Sequence, residues 1–221
     1  MPKKSLMLAW VLFNFCWVGM VQAAEPELRY AREVGQIKIS VPEDPAARSY
    51  LGISKASGRI SISQIRSGLL IIEIFNMYCP HCQHYAPAVN DLYRRIQNNA
   101  RINRNTMLIG IGVGNSPYEV NIFRKKYGIP FPLFDNEDYA VSNLLHDLRT
   151  PHFLALVLDG KGGSRLVFSR SGGFDDAGKF AEDYVNFLNK DYYLDILEAF
   201  ADTSVPESGR SNFAHVDGVD D

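Results

Sequence analysis

The chain has 221 residues with 23 basic and 25 acidic side chains, and it is 46% hydrophobic, 12% aromatic and 22% charged. These proportions exclude a chain disordered throughout and a strongly basic nucleic-acid binder, and a single long apolar run excludes a polytopic membrane protein. The length suits one domain of moderate size, with a core that needs no disulfide staples.

The first segment reads as a targeting signal. Lys3 and Lys4 precede an uncharged run from Leu6 to Val21, and the small residues Ala23 and Ala24 stand before the first acid, Glu25. That order is a secretory signal peptide cleaved after Ala23. The apolar run is shorter than the roughly 20 residues of a membrane span, so an uncleaved signal anchor is the second reading. Cys16 follows Phe13, Asn14 and Phe15, not the small residues of a lipoprotein signal. Cleavage removes two lysines and no acid, which moves the formal charge from −2 to −4, and it removes Cys16. Cys79 and Cys82 are then the whole thiol inventory.

Residues 24–50 read as an irregular arm with one strand at 36–41. Leu69–Phe75 is a short apolar, β-branched run and predicts a buried strand. A helix is expected over 79–98, with apolar positions at steps of three and four. Thr106–Val113 predicts a second buried strand, and Pro117–Tyr127 a helix that stops at Gly128 and Pro130. A further helix is expected over 138–148, and a third buried strand over 153–158. The Asp159-Gly160-Lys161-Gly162-Gly163 stretch is a turn, and 165–169 pairs back as a hairpin. A helix over 175–188, a helical extension over 191–200 and a disordered polar tail over 201–221 complete the chain. The expected organisation is a signal peptide (1–23), an arm (24–50), one α/β domain (51–190), the extension and the tail. Its mixed sheet has helices on both faces.

Cysteines spaced C-x-x-C in an exported chain point to redox chemistry. Cys79 falls where a buried strand turns into a helix. There, free backbone N–H groups and the positive helix end favour thiolate over thiol. Pro80 suits the first helical position, which has no N–H to lose. Cys82 lies three residues on, on the same helix face. Cys79 is therefore expected to attack a foreign disulfide, and Cys82 to resolve the mixed disulfide. His81, if protonated, adds positive charge beside the sulfur. Glu73 is a carboxylate on an otherwise apolar strand, costly to bury unless paired or neutral. It reads as a proton relay to Cys82, or else as the partner of a lysine such as Lys125 or Lys126.

The segment Ile71-Ile72-Glu73-Ile74-Phe75-Asn76-Met77-Tyr78-Cys79-Pro80-His81-Cys82 resembles the active-site segment of DsbA-type oxidases in the thioredoxin superfamily. Glu73 holds that family's acid position. Pro87 is similar to its helix-kinking proline, Thr150-Pro151 to its cis-proline loop, and Gly172-Gly173 to the break before its last helix. The resemblance covers about residues 50–190. It implies a thioredoxin fold in which Thr150 and Pro151 bind the substrate backbone. The segment between Cys82 and Pro151 has room for one extra strand–helix unit and not for the large helical insertion of DsbA. That segment, the 158–161 turn and Gly58 to Ile65 resemble the TlpA/ResA branch of exported thioredoxin-like proteins.

The expected activity is periplasmic, or otherwise exported, thiol–disulfide exchange with protein thiols. The oxidase or isomerase direction is favoured over the reductase. No organic cofactor, metal or nucleic acid is implied. The partners are client proteins with cysteines and a membrane protein that recycles the pair. A copper-binding module using Cys79, Cys82 and His84 is the alternative from another class. His152 and His84 read as packing or surface histidines. A c-type haem site fails because Gln83 stands where C-x-x-C-H needs histidine. Peroxidase activity is not expected, because Asn76 and Ile72 stand where a peroxiredoxin carries threonine or serine and proline.

Overall fold

A computed structural model describes residues 33–172 apart from 101, 102, 104, 146 and 147. The signal peptide expected over 1–23, Gly173 of the expected Gly172-Gly173 break, the helices expected over 175–188 and 191–200, and the expected tail lie outside the described residues.

The elements in order are β1 (Lys38–Ser40), α1 (Pro45–Tyr50), β2 (Arg59–Ser61), a 3-10 turn (Ile62–Gln64), β3 (Leu69–Phe75), α2 (Pro80–Asn98), β4 (Thr106–Val113), α3 (Pro117–Tyr127), β5 (Leu133–Asn136), α4 (Ala140–Leu144), β6 (His152–Leu158) and β7 (Ser164–Ser171). The main sheet runs β5-β4-β3-β6-β7. β3, β4 and β5 are parallel; β6 is antiparallel to β3, and β7 to β6. β1 and β2 form a separate antiparallel ribbon.

β3 lies at the centre, and every one of its residues is buried. Successive side chains on a strand point to opposite faces, so β3 feeds two cores. Leu69, Ile71 and Phe75 pack with Cys82, Ala86, Val89, Leu92 and Ile96 of α2 and with Val120 and Phe123 of α3. Leu70, Ile72 and Ile74 pack with Val34, Ile37, Ile39 and Val41, with the 3-10 turn, and with Val141 of α4. Each fully buried aliphatic or aromatic side chain is worth about 1.5–3 kcal/mol. The mixed sheet is thus covered on both faces, the thioredoxin-like arrangement expected, with β5 and its neighbouring helices as the extra unit before Pro151.

The differences from expectation are local. The helix expected over 138–148 is shortened to Ala140–Leu144. Its start is set by the Asn136 side chain, whose Oδ1 accepts from the Val141 amide, and by Asp138, which accepts from Ala140. Residues 45–50, expected to be irregular, form α1, because Asp44 caps the Ala46 amide and Pro45 opens the helix. β2 and β5 were not expected as strands. Both are short and lack the apolar alternation that marks longer ones.

Candidate active site

Cys79 is the N-cap of α2, and Pro80 occupies the first helical position. The hydrophobic pattern of α2 then carries Cys82 one turn below, fully buried against the sheet. Both cysteines are free thiols, Cys79 half-buried and Cys82 buried. The two sulfurs are within hydrogen-bond reach of each other.

The two thiols sit in opposite electrostatic settings. At Cys79, partial burial works against ionisation. Hydrogen bonds from Thr150, from Cys82 and from the His81 amide outweigh it and hold the thiol below its ordinary range. As a thiol, Cys79 donates to the Thr150 carbonyl at 3.3 Å. At Cys82, burial pushes the thiol far up, and the charges of Cys79 and Glu73 push the same way. The backbone amide of Asn76 donates to the Cys82 sulfur and opposes part of this shift.

Glu73 is in the middle of β3, 1% exposed, between Gly110 of β4 and Phe153 of β6. Strand alternation points it to the α2 face, the side of Cys82. Its Oε1 is buried with no hydrogen-bond partner among the described residues. Burial alone pushes the carboxyl up to about 8. The pairing with Lys125 or Lys126 left open by the residue pattern is not formed: no ion pair reaches Glu73 among the described residues.

The Thr150-Pro151 peptide bond is cis, and Pro151 is buried. Thr150 faces Cys79, while the Pro151 carbonyl accepts from the Gly172 amide at 2.9 Å. His81 is exposed and reaches the sulfur through its backbone amide. His84 is exposed, two residues past Cys82 and turned to another side of the helix, where it meets the Tyr85 ring edge-on at 5.0 Å. Cys79, Cys82 and His84 are therefore not gathered, and no group of three metal-binding side chains occurs among the described residues. His152 is buried as a packing histidine, with its ring nitrogens 2.6 Å and 2.9 Å from the hydroxyls of Ser171 and Ser169.

Sequence reasoning passed over the braces of the loop between β3 and α2. Asn76 Nδ2 donates to the Val113 carbonyl at 2.8 Å, and its Oδ1 accepts from the Tyr78 amide. Asn115 is fully buried, and its Oδ1 accepts from the Met77 amide at 2.9 Å. These bonds tie the cysteine loop to the end of β4. An asparagine within two residues of the end of each of two buried strands was the available signal. The Tyr78 hydroxyl donates to Glu119, which also closes the Ser116 capping box of α3.

A model of the AhpC/TSA family matches residues 44–161. The chain belongs to the AhpC/TSA family. The matched span holds Glu73, both cysteines and the cis-proline loop, and it supports, in general terms, a thiol-based redox protein of the thioredoxin superfamily. No curated protein matches the chain. Among solved structures, the chain is similar to a secreted Mycobacterium tuberculosis disulfide oxidoreductase homologous to E. coli DsbE, with 14% identity, a TM-score of 0.46, and 68% of this chain and 94% of that one covered. It is also similar to StoA from Bacillus subtilis, with 18% identity, a TM-score of 0.43, and 57% and 88% covered. A thiol-disulfide isomerase from Corynebacterium glutamicum gives 22% identity, a TM-score of 0.41, and 56% and 84% covered.

Proposed function

We propose that this AhpC/TSA family protein is an exported thiol–disulfide oxidoreductase that exchanges disulfides with protein cysteines through Cys79 and Cys82. The observation that carries this reading is the asymmetry of the pair. An accessible sulfur with a depressed pKa stands at a helix start, in contact with a buried sulfur whose pKa is raised. A low-pKa accessible thiol is the better attacking group, and the buried one acts only after the first has reacted. Cys79 thiolate attacks a client disulfide, forms the mixed disulfide and expels one client thiolate. Glu73, as carboxylate, takes the proton of Cys82. Cys82 then attacks Cys79 Sγ, closing the Cys79–Cys82 disulfide and releasing the second client thiolate. The reverse sequence donates a disulfide. Thr150, beside the sulfur, and Pro151 support the backbone of the bound client.

Stabilising the Cys79 thiolate stabilises the dithiol form and raises the potential by roughly 30 mV per pKa unit. This favours the oxidase or isomerase direction over reduction. Export follows from the signal peptide read at residues 1–23, and a membrane protein that recycles the pair is the partner this cycle needs. Among the described residues no helix is long and apolar enough to cross a membrane.

The test is a trap. Cys82→Ala keeps the attack and removes resolution, so non-reducing gels of periplasmic extracts should show client proteins cross-linked to Cys79. Cys79→Ser should abolish them. A Cys82→Ala protein that forms no adducts, yet is alkylated at Cys79, overturns the exchange reading.

A further inference from the structure

Three large apolar side chains stand exposed among the described residues, and all are tyrosines: Tyr78 at 65%, Tyr118 at 74% and Tyr139 at 54%. They lie on successive connections at one end of the sheet, after β3, β4 and β5. Tyr78 and Tyr139 line a groove of about 440 Å³ that also contains Cys79 and Thr150. Val113 and Leu148 complete its apolar wall, and among the described residues none of its lining side chains carries a fixed charge.

Tyr139 is held in this groove against its own backbone preference. Its φ is 56°, and it is the only non-glycine residue with positive φ among the described residues. Glycine or asparagine accepts that conformation readily; a tyrosine does not. The ring lies over Gly114, itself at φ +66°, where a Cβ would come within 2.7 Å of the ring. A ring that is half exposed gains little from burial, so core packing does not account for this arrangement. Strained residues of this kind cluster at ligand clamps.

Resting on the exchange reading above, we propose that Tyr139, with Val113 and Leu148, forms a subsite for an aromatic or large aliphatic side chain flanking the cysteine of a client disulfide. The covalent step fixes the occupant. Cys79 thiolate attacks the client sulfur, the Cys79–client S–S bond forms, the client S–S bond breaks, and the departing thiolate takes a proton from solvent. The tethered cysteine's neighbours are then about 3.8 Å away from Cα to Cα. A side chain beside the cysteine consequently falls within the groove that Cys79 lines. An uncharged wall with two tyrosines favours an aromatic side chain by stacking and by burial of apolar area.

The experiment uses the reduced full chain and two short cysteinyl peptides, each a mixed disulfide with thionitrobenzoate. They differ only in phenylalanine or glycine beside the cysteine. Initial release of thionitrobenzoate at subsaturating peptide is the readout, and the ratio of the two rates cancels any general change in Cys79 reactivity. The phenylalanine peptide should react about tenfold faster, the effect of one ring contact. Tyr139→Gly should bring the ratio close to one, with a thermal midpoint no lower than wild type because glycine accepts the backbone angle. Tyr139→Phe should keep the ratio. A wild-type ratio near one, or an unchanged ratio in Tyr139→Gly, overturns the subsite. Wild-type protein that releases no thionitrobenzoate from either peptide overturns the exchange reading, and the subsite with it.

Discussion

The inner and outer sides of the Cys79 sulfur differ in almost every physical respect. On the inner side, Cys82 and Glu73 lie under α2 in a dry apolar core, and both are pushed toward their neutral forms by burial. On the outer side, Tyr78, Tyr139 and Thr150 frame an open groove, and hydrogen bonds lower the pKa of the sulfur that faces it. On the proposed exchange reading, the contrast separates two tasks. Proton transfer between Glu73 and Cys82 gains from a low dielectric, where each charge is felt strongly and water cannot compete. Capture of a bulky client needs accessible surface and adaptable polar contacts.

The largest expected effect comes from removing the titratable group of the inner side. The folded protein holds the Glu73 proton up to about pH 8, whereas an ordinary glutamate loses it near 4.5. Between these values the unfolded chain binds fewer protons than the folded one. Stability therefore falls as pH rises through this window, by roughly 1.4 kcal/mol per unit at most, and levels off above it. Glu73→Gln should remove that decline, so chemical denaturation at pH 5 and pH 8 should show the variant gaining on wild type by ~2–4 kcal/mol. The same substitution should slow resolution of a Cys79 mixed disulfide at pH 8, where the wild-type carboxylate is available as base. Parallel stability profiles for the two proteins would mean that Glu73 is hydrated in solution, and the contrast between the two sides would lose its basis.

A smaller effect is expected at the rim. Gly114→Ala puts a methyl group at positive φ and within contact distance of the Tyr139 ring. It should lower stability by about 1–3 kcal/mol and blunt any discrimination between client peptides. Urea denaturation and the peptide rate ratio read the two consequences separately. The smallest effect is expected from Tyr78→Phe. The Tyr78–Glu119 hydrogen bond joins two exposed side chains, and exposed polar contacts contribute little. The thermal midpoint should not shift measurably, and a clear drop would show that the outer side is built more rigidly than its exposure suggests.

The sequence by itself determined where the two cysteines sit and the long elements around them. Cys79 and Cys82 at C-x-x-C spacing, a prolyl helix start and an uninterrupted apolar strand before it are local signals. β3, β4, α2 and α3 follow them to within a residue, because a run of seven to nineteen residues carries enough periodicity to identify itself. Glu73 was legible for the same reason: one acid in a strand that is otherwise buried has few physical outcomes. Only the tertiary structure decided what surrounds the sulfur. Asn76 and Asn115 brace the cysteine loop by bonds to residues 37 or 38 positions away, and Thr150 meets Cys79 across a separation of 71, a meeting anticipated through the family resemblance and not through any local pattern. Tyr139 takes its strained angle at the edge of β5, a strand four residues long, and lies over a glycine from another connection. No local pattern encodes such pairings, because each energy belongs to two distant pieces of chain that meet only once the sheet has ordered β5-β4-β3-β6-β7.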